Sequence, residues 1–176
     1  QATVAIETGA PRLQKLIRKN LNIDRAREAI RLLTGAGILT HGFFMLGFPT
    51  ETEEEMKQTV NFALQSRLHT ASFFIVKPAP GTELYDMLTP RPGQETDYKS
   101  YSYQSFGLTS SDLPPATLRK IYRRAFMRFY LNPFRMTRIF LATQDKTFLF
   151  QSLLHGMQRI LFTGETGKRK TKDKQT

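Results

Sequence analysis

The chain has 176 residues, 40% of them hydrophobic and 23% charged, enough for one domain with its own core and too apolar for a disordered chain. It contains no cysteine, which excludes disulfides, zinc–thiolate sites, thiolate nucleophiles and any iron–sulfur cluster held by its own thiolates. The formal net charge of +11 is uneven: residues 1–90 carry 10 Lys and Arg against 9 Asp and Glu, and residues 91–176 carry 16 against 6. The second half therefore owns the basic surplus, of a kind that suits nucleic acid, anionic lipid or an acidic partner domain.

No apolar run approaches the ~18 residues of a membrane span, and the first residues lack the basic start and apolar block of a signal peptide, so a cytoplasmic protein is expected. His41, His69 and His155 are scattered without metal-ligand spacing; each is expected to be a partly exposed polar residue, and no metal ligand is assigned.

In chain order, Thr3 to Ile6 reads as a short buried strand closed by the turn Glu7-Thr8-Gly9. A start so close to a core strand suggests a piece of something larger. "PRLQKLIRKN" sets Leu13, Leu16 and Ile17 on one helical face, with Pro11 in the first turn. A second helix is expected with Asp24 as N-cap, a stripe of Ala26, Ala29, Ile30 and Leu33, and an end at Gly35 and Gly37. "ILTHGFFMLG" is then a strand apolar on both faces, as in a parallel sheet.

After Pro49, Thr52 and Glu55 have capping-box spacing, and Glu53, Glu54 and Glu55 lie at the positive end of the helix dipole. Met56, Val60, Ala63 and Leu64 supply that helix's inward face. "ASFFIV" is the third strand, and "KPAPGTELYDML" turns into a short helix. Alternating strands and helices with long crossovers imply parallel βα units, and three strands are too few to close a barrel.

Residues 91–113 form a polar linker between these units, residues 1–90, and a basic, aromatic helical extension, residues 114–163. In "LPPATLRKIYRRAFMRFYL" Leu118, Ile121, Tyr122, Ala125, Phe126 and Phe129 repeat at helical spacing, with Arg119, Lys120, Arg123, Arg124 and Arg128 on the rest of the wheel. Asn132-Pro133 breaks the helix, and stretches near Phe134–Leu141 and Lys146–Leu161 resume it. Residues 164–176 are a basic tail of disordered composition.

Ligands of parallel α/β folds sit outside the carboxyl ends of the strands. The residues to watch are therefore Glu7-Thr8-Gly9, Leu46-Gly47-Phe48-Pro49 with Glu51, and Val76-Lys77-Pro78. Gly47 lets a planar ligand lie against backbone, Glu7 offers an acceptor to sugar hydroxyls or an ammonium, and Lys19 can meet a carboxylate. The set suits a zwitterionic nucleoside better than a polyphosphate, because the helix terminus at the site bears acids. Taken singly, the glycine turn is an ordinary βα turn, Lys19 a surface charge and the glutamate row a helix cap.

"AIETGAPRLQKLIRKN", "GFFMLGFPTETEEEM" and "VKPAPGTELYDML", in that order and at these separations, resemble the later part of a radical S-adenosylmethionine (SAM) barrel, most of all in cobalamin-binding members. "LRKIYRRAFMRFYLNPFRM" is similar to the basic aromatic helix that follows the barrel in those members. The resemblance implies an α/β fold, the C-terminal half of a partial TIM-like barrel followed by an α-helical extension. It further implies that Glu7, with Thr8 beside it, binds the ribose or amino group of SAM, that Lys19 meets the SAM carboxylate, that Phe44, Met45, Leu46 and Gly47 support the adenine, and that Val76, Lys77 and Pro78 close its other side. No catalytic residue is assigned.

Enzymes of this family hold a four-iron four-sulfur cluster on a CxxxCxxC motif, which this chain lacks. The cluster ligands, and cobalamin where it is used, are expected outside this chain, in an N-terminal part of the same protein, and the chain alone is expected to be inactive. Known reactions of the branch include methylation of unactivated carbon and ring-forming chemistry on tetrapyrroles; substrate and reaction stay open, as does whether cobalamin is used. Two other readings compete: a non-catalytic module whose basic helix and tail touch nucleic acid or an anionic membrane surface, which would make the protein peripheral to the membrane, and a complete α/β scaffold protein.

Overall fold

The computed structural model describes residues 1–79, 81–88, 110–143 and 147. The expected helix at Lys146–Leu161, the tail and most of the 91–113 linker lie outside the described residues. The chain divides into compact units at residues 1–144 and 145–176, and the architecture below is that of the first.

Three strands, β1 (Ala2–Glu7), β2 (Thr40–Leu46) and β3 (Thr70–Ile75), make a parallel sheet in the order β1-β2-β3. Each connection passes through helix: α1 (Pro11–Leu16) and α2 (Ile23–Gly35) between β1 and β2, and α3 (Glu53–Gln65) between β2 and β3. The short α4 (Glu83–Leu88) follows β3, and α5 (Pro115–Tyr130) and α6 (Pro133–Ala142) come later. A mixed α/β unit with a small parallel sheet is the fold expected for part of a radical SAM barrel.

Alternation along the strands decides the layers. Ile6, Phe44, Leu46, Ala71, Phe73 and Ile75 point to the helix side, where they join Ile30 of α2, Met56, Val60, Phe62 and Ala63 of α3, and Leu118, Ile121, Ala125 and Phe129 of α5 in one buried cluster. Phe44 stacks on Phe73 at 5.4 Å between centroids, and Phe73 meets Phe129 edge-on at 6.3 Å. Helix α5 thus packs on α3 and β3 through its apolar stripe, while Arg119, Lys120, Arg123, Arg124 and Arg128 stay exposed. Gly42 makes room on β2, because a Cβ there would stand 2.5 Å from Leu68 Cδ1.

The two edges of the sheet differ. On the outer edge of β3, Tyr130 Oη donates to Ala71 O at 2.8 Å and accepts from Ala71 N at 3.1 Å, so this chain's own helix satisfies the exposed backbone. Beyond the strand, Ser110 donates its hydroxyl to Val76 O and Gly47 O. The outer edge of β1 pairs with no strand among the described residues.

Three local expectations are corrected. Asn22, not Asp24, caps α2: its Oδ1 accepts from Arg25 N at 2.9 Å, which leaves Asp24 in the first turn beside the helix dipole. Helix α1 stops at Leu16 and the chain turns through Arg18 (φ 56°) and Asn20 (φ 50°), so Gln14 is buried and Leu16 is exposed. His69 is buried rather than partly exposed; its Nδ1 accepts from Thr40 N at 3.1 Å, and burial with Arg138, Arg135 and Arg67 nearby keeps the ring neutral by lowering its pKa.

Candidate functional site

All three groups of strand-end residues sit at one end of the sheet, since parallel strands in register end together. At the first exit, the register slips between Ala5 and Glu7, and Glu7 takes the left-handed conformation at φ 66°. A non-glycine residue there carries strain, which the surroundings must hold. They do so through Gln14 of α1, whose side-chain amide donates to Ile6 O at 2.8 Å and Thr8 O at 2.6 Å, while its Oε1 accepts from Leu21 N at 3.2 Å.

The bulge turns Thr8 inward and Glu7 outward. Thr8 is fully buried; its hydroxyl lies 3.0 Å from that of Thr59 on α3 and accepts from Ala10 N at 3.1 Å. Thr8 therefore anchors the exit loop to α3 and presents no hydroxyl to the rim. Gly9 completes the junction, because an added Cβ would sit 3.0 Å from Gln58 O, Phe62 Cβ and Thr59 Cα. Glu7, partly exposed, pairs with Lys19: Lys19 Nζ donates to Glu7 Oε1 at 3.1 Å. One carboxylate and one ammonium side by side are complementary to the ammonium and carboxylate of an amino-acid moiety.

The second exit is built by a buried acid. Glu51 Oε2 accepts from Gly47 N at 2.6 Å and Phe48 N at 3.0 Å, which folds the Gly47–Glu51 stretch back on itself with Gly47 at φ 88°. Glu51 is 2% exposed and its Oε1 has no hydrogen-bond partner among the described residues. Burial raises its pKa to about 7 against the pull of those two amides. Thr50, a β-branched residue at φ 61°, is held in its strained conformation from three sides: Arg12 of α1 donates to its Oγ1 at 3.2 Å and its O at 2.8 Å, and Asp112 Oδ2 accepts from its N at 2.9 Å.

The same Arg12 forks onto Glu55 at 2.6 and 2.8 Å. Glu55 also closes the expected capping box with Thr52, and its pKa falls to about 2, chiefly through Arg12. Arg12 thereby ties α1, the β2 exit and the start of α3 together.

The third exit, Val76-Lys77-Pro78, is buried. Val76 joins Ala10, Leu13 and Phe48 in a second apolar cluster, with Ile17, Met45 and Leu84 packed against it. Burial also lowers the pKa of Lys77. Of the residues expected to support an adenine, Met45 reaches this second cluster, whereas Phe44 and Leu46 point to the helix side and can offer a ligand on the rim only backbone. Glu7, Lys19, Gly47 and Val76 are gathered at the sheet end; Thr8, Phe44 and Leu46 are turned into the packing beneath it.

Arg12, Gln14, Glu51, Thr59 and Ser110 hold the rim in shape. Glu51 stands out in the sequence by its place after Gly47; Gln14, Thr59 and Ser110 carry no local signal, because their contacts span 6 to 63 positions.

A SAM ligand fits this rim in part. The Glu7–Lys19 pair matches its zwitterionic end and the glycine-bearing turn with the Met45–Val76 cluster matches a flat base, whereas a chain without cysteine offers no thiolate to a four-iron cluster.

Residues 1–63 match the family described as the radical SAM superfamily. Among curated proteins the chain is similar to an uncharacterized methyltransferase of Pyrococcus horikoshii, 26% identical over 159 residues, which covers 89% of this chain and 34% of the relative. It is also similar to the cytidylyl-2-hydroxyethylphosphonate methyltransferase of Streptomyces wedmorensis, 38% identical over 91 residues, 48% of this chain and 17% of the relative. A third relative is the anaerobic magnesium-protoporphyrin IX monomethyl ester cyclase of Cereibacter sphaeroides, 27% identical over 131 residues, 72% of this chain and 21% of the relative. The chain spans about a third or less of each of these proteins. The match to the radical SAM superfamily over residues 1–63 agrees with the parallel βα units and the rim at their carboxyl ends, which have the form of part of such a barrel.

Proposed function

We propose that this chain supplies the late βα units of a radical SAM enzyme and carries one side of its SAM site. The observation that bears most weight is the rim itself: an exposed Glu7–Lys19 pair beside a glycine turn that a buried carboxylate holds open. The unequal sheet edges support the same reading. Tyr130 covers the β3 edge at Ala71, so further strands of a barrel would add to the edge of β1, which pairs with no strand among the described residues.

In this proposal Glu7 receives the ligand's ammonium or ribose hydroxyls and Lys19 its carboxylate, each exchanging its present partner for one of equal charge. Met45 and Val76 exclude water on one side of the base, and the Gly47–Phe48 backbone borders the other. When SAM and a reduced cluster are bound together they supply radical chemistry. This chain contributes binding and orientation, while the cluster ligands, and cobalamin where the enzyme uses it, belong to other parts of the protein. Names of the relatives favour transfer of a methyl or related group, and the cyclase among them keeps oxidative ring formation as the alternative.

The test is made on the complete protein, reconstituted with iron and sulfide and reduced. Release of 5′-deoxyadenosine from SAM, or methylation with SAM consumption, is the expected result; no SAM turnover and no SAM binding would refute the proposal.

A second reading has an observation of its own. Lys120, Arg123, Arg124 and Arg128 remain exposed on α5, and Arg119, Lys120, Arg123 and Arg124 with Ala116 line a shallow groove of about 380 Å³. A basic helix face of this kind suits an anionic surface. Binding to RNA or anionic vesicles that collapses with salt would support it, and no binding at low salt would remove it.

A further inference from the structure

An ordinary surface helix turns its apolar stripe inward and its charges to water. Helix α6 does the reverse. Arg135 is buried, with its guanidinium on Leu68 O, Leu64 O and Ser66 O, and Arg138 donates to Arg67 O. The outward side is apolar: Phe134 is 81% exposed, and Leu141, seven residues on and so above it on the same side, is 75% exposed.

The apolar face continues on α5. Met127 and Leu131, four residues apart, are both exposed and line a shallow groove of about 410 Å³ with Leu64, Arg128 and Asn132. Leu131 and Phe134 flank the turn that joins the two helices. A lone exposed apolar side chain needs no explanation, but four along two consecutive helices do.

Charge selects the occupant. Residues 113–144 contain seven Lys and Arg and no Asp or Glu. Five of the seven are the exposed cations of α5; Arg123 and Arg124 lie four and three residues before Met127, and Arg128 three before Leu131, the spacings of helical neighbours. A second copy docked face to face would set cation against cation. Nucleic acid would satisfy the cations and leave Leu131 and Leu141 in water. An anionic lipid surface meets both, with headgroups for the cations and the edge of the acyl region for the apolar side chains. No helix among the described residues is long and apolar enough to cross a membrane, so the contact is at the surface.

We propose that the outer face of α5 and α6 docks on anionic lipid, with Phe134 and Leu141 entering the boundary between headgroups and acyl chains while the α5 cations hold the headgroups. The inference deepens the second reading above, on which it rests for the cations, and is independent of the SAM site. To an electrostatic contact it adds an apolar one, which salt does not screen.

The experiment is co-sedimentation of the complete protein, at low and high salt, with vesicles of phosphatidylcholine alone or of phosphatidylcholine and phosphatidylserine in equal parts, beside a parallel titration with single-stranded RNA. Native protein is expected to bind the anionic vesicles, to keep part of that binding at high salt, and to stay in solution with neutral vesicles. Lys120→Gln, Arg123→Gln and Arg124→Gln combined should weaken binding about a hundredfold at low salt, at about fivefold per cation. Phe134→Ser with Leu141→Ser should weaken it about tenfold or more and abolish the part that survives salt. All five positions are exposed, so each variant is expected to melt as the native protein does. In Phe134→Trp, the difference fluorescence spectrum against native protein should move to the blue when anionic vesicles are added.

Vesicle binding that the serine pair leaves unchanged, without a blue shift, overturns the docking face and leaves the electrostatic contact of the second reading standing. A melting temperature lowered by the pair, with vesicle binding intact, means that the protein covers this face itself and equally overturns the proposal. RNA binding without vesicle binding overturns it in favour of nucleic acid; binding to neither at low salt overturns the second reading as well.

Discussion

At the rim, single carboxylates with opposite shifts do different work. Glu51 has its pKa raised from 4.5 to about 7, so between those values the folded protein holds a proton that the unfolded chain releases. Stability is therefore lost as pH rises from about 4.5 to 7, by up to about 3 kcal/mol, and the whole penalty is present above 7. Glu51→Gln is expected to raise the melting temperature at pH 8 and to leave it unchanged near pH 4; a lower melting temperature at pH 8 would mean that the charge stabilises the fold. Glu55 runs the other way. Its pKa of about 2 gives stability that is fully present above 4.5 and fades as pH falls toward 2, and Arg12→Ala should abolish that part of the acid profile. The Thr52–Glu55 capping box could be read from spacing alone, because both partners lie within four residues. Burial of Glu51 could not, since the groups that hold its turn at Thr50, Arg12 of α1 and Asp112, arrive from distant sequence.

Helix α6 shows what element-level packing adds. Arg135, to which the sequence assigns no role, is 4% exposed. Its guanidinium donates to Leu68 O, to Leu64 O at 2.7 Å and to Ser66 O at 3.3 Å, and it lies 3.8 Å over the Phe129 ring. These are carbonyls at and just beyond the C-terminus of α3, where a cation also meets the negative end of the dipole. Burial lowers the Arg135 pKa only to about 10, so it stays charged at neutral pH. Arg135→Leu should cost about 3 kcal/mol in a denaturant melt, because these three carbonyls lose their donor, and Arg135→Lys should recover only part. Against the middle of α3, Gly9→Ala would set a Cβ 3.0 Å from Gln58 O, Thr59 Cα and Phe62 Cβ and should weaken SAM binding along with stability. The α5 stripe was legible because Leu118, Ile121, Ala125 and Phe129 repeat at helical spacing; the Arg135 contact was not, because it joins segments 67 to 72 residues apart.

For the whole molecule, the succession of strands and helices along the chain, their parallel pairing and the choice of strand ends as the place to look all followed from alternating βα periodicity. The direction in which each rim residue points did not follow. A one-residue slip at Glu7 turns Thr8 into the core, and strand alternation sends Phe44 and Leu46 toward the helices, so the candidates for ligand contact narrow to Glu7, Lys19, Met45, the Gly47 backbone and Val76. The proposed function divides the chemistry accordingly: this chain's residues would bind and orient the ligand, and the cluster would be held by another part of the protein.

The measurement that bears most directly on this division is hydrogen–deuterium exchange of the complete protein with and without SAM. Slower exchange confined to residues 7–9, 46–51 and 76–78 is the predicted result, with Lys19→Ala reducing it. Protection absent from all three strand ends, while SAM is demonstrably bound, would place the cofactor elsewhere and contradict the assignment of this rim.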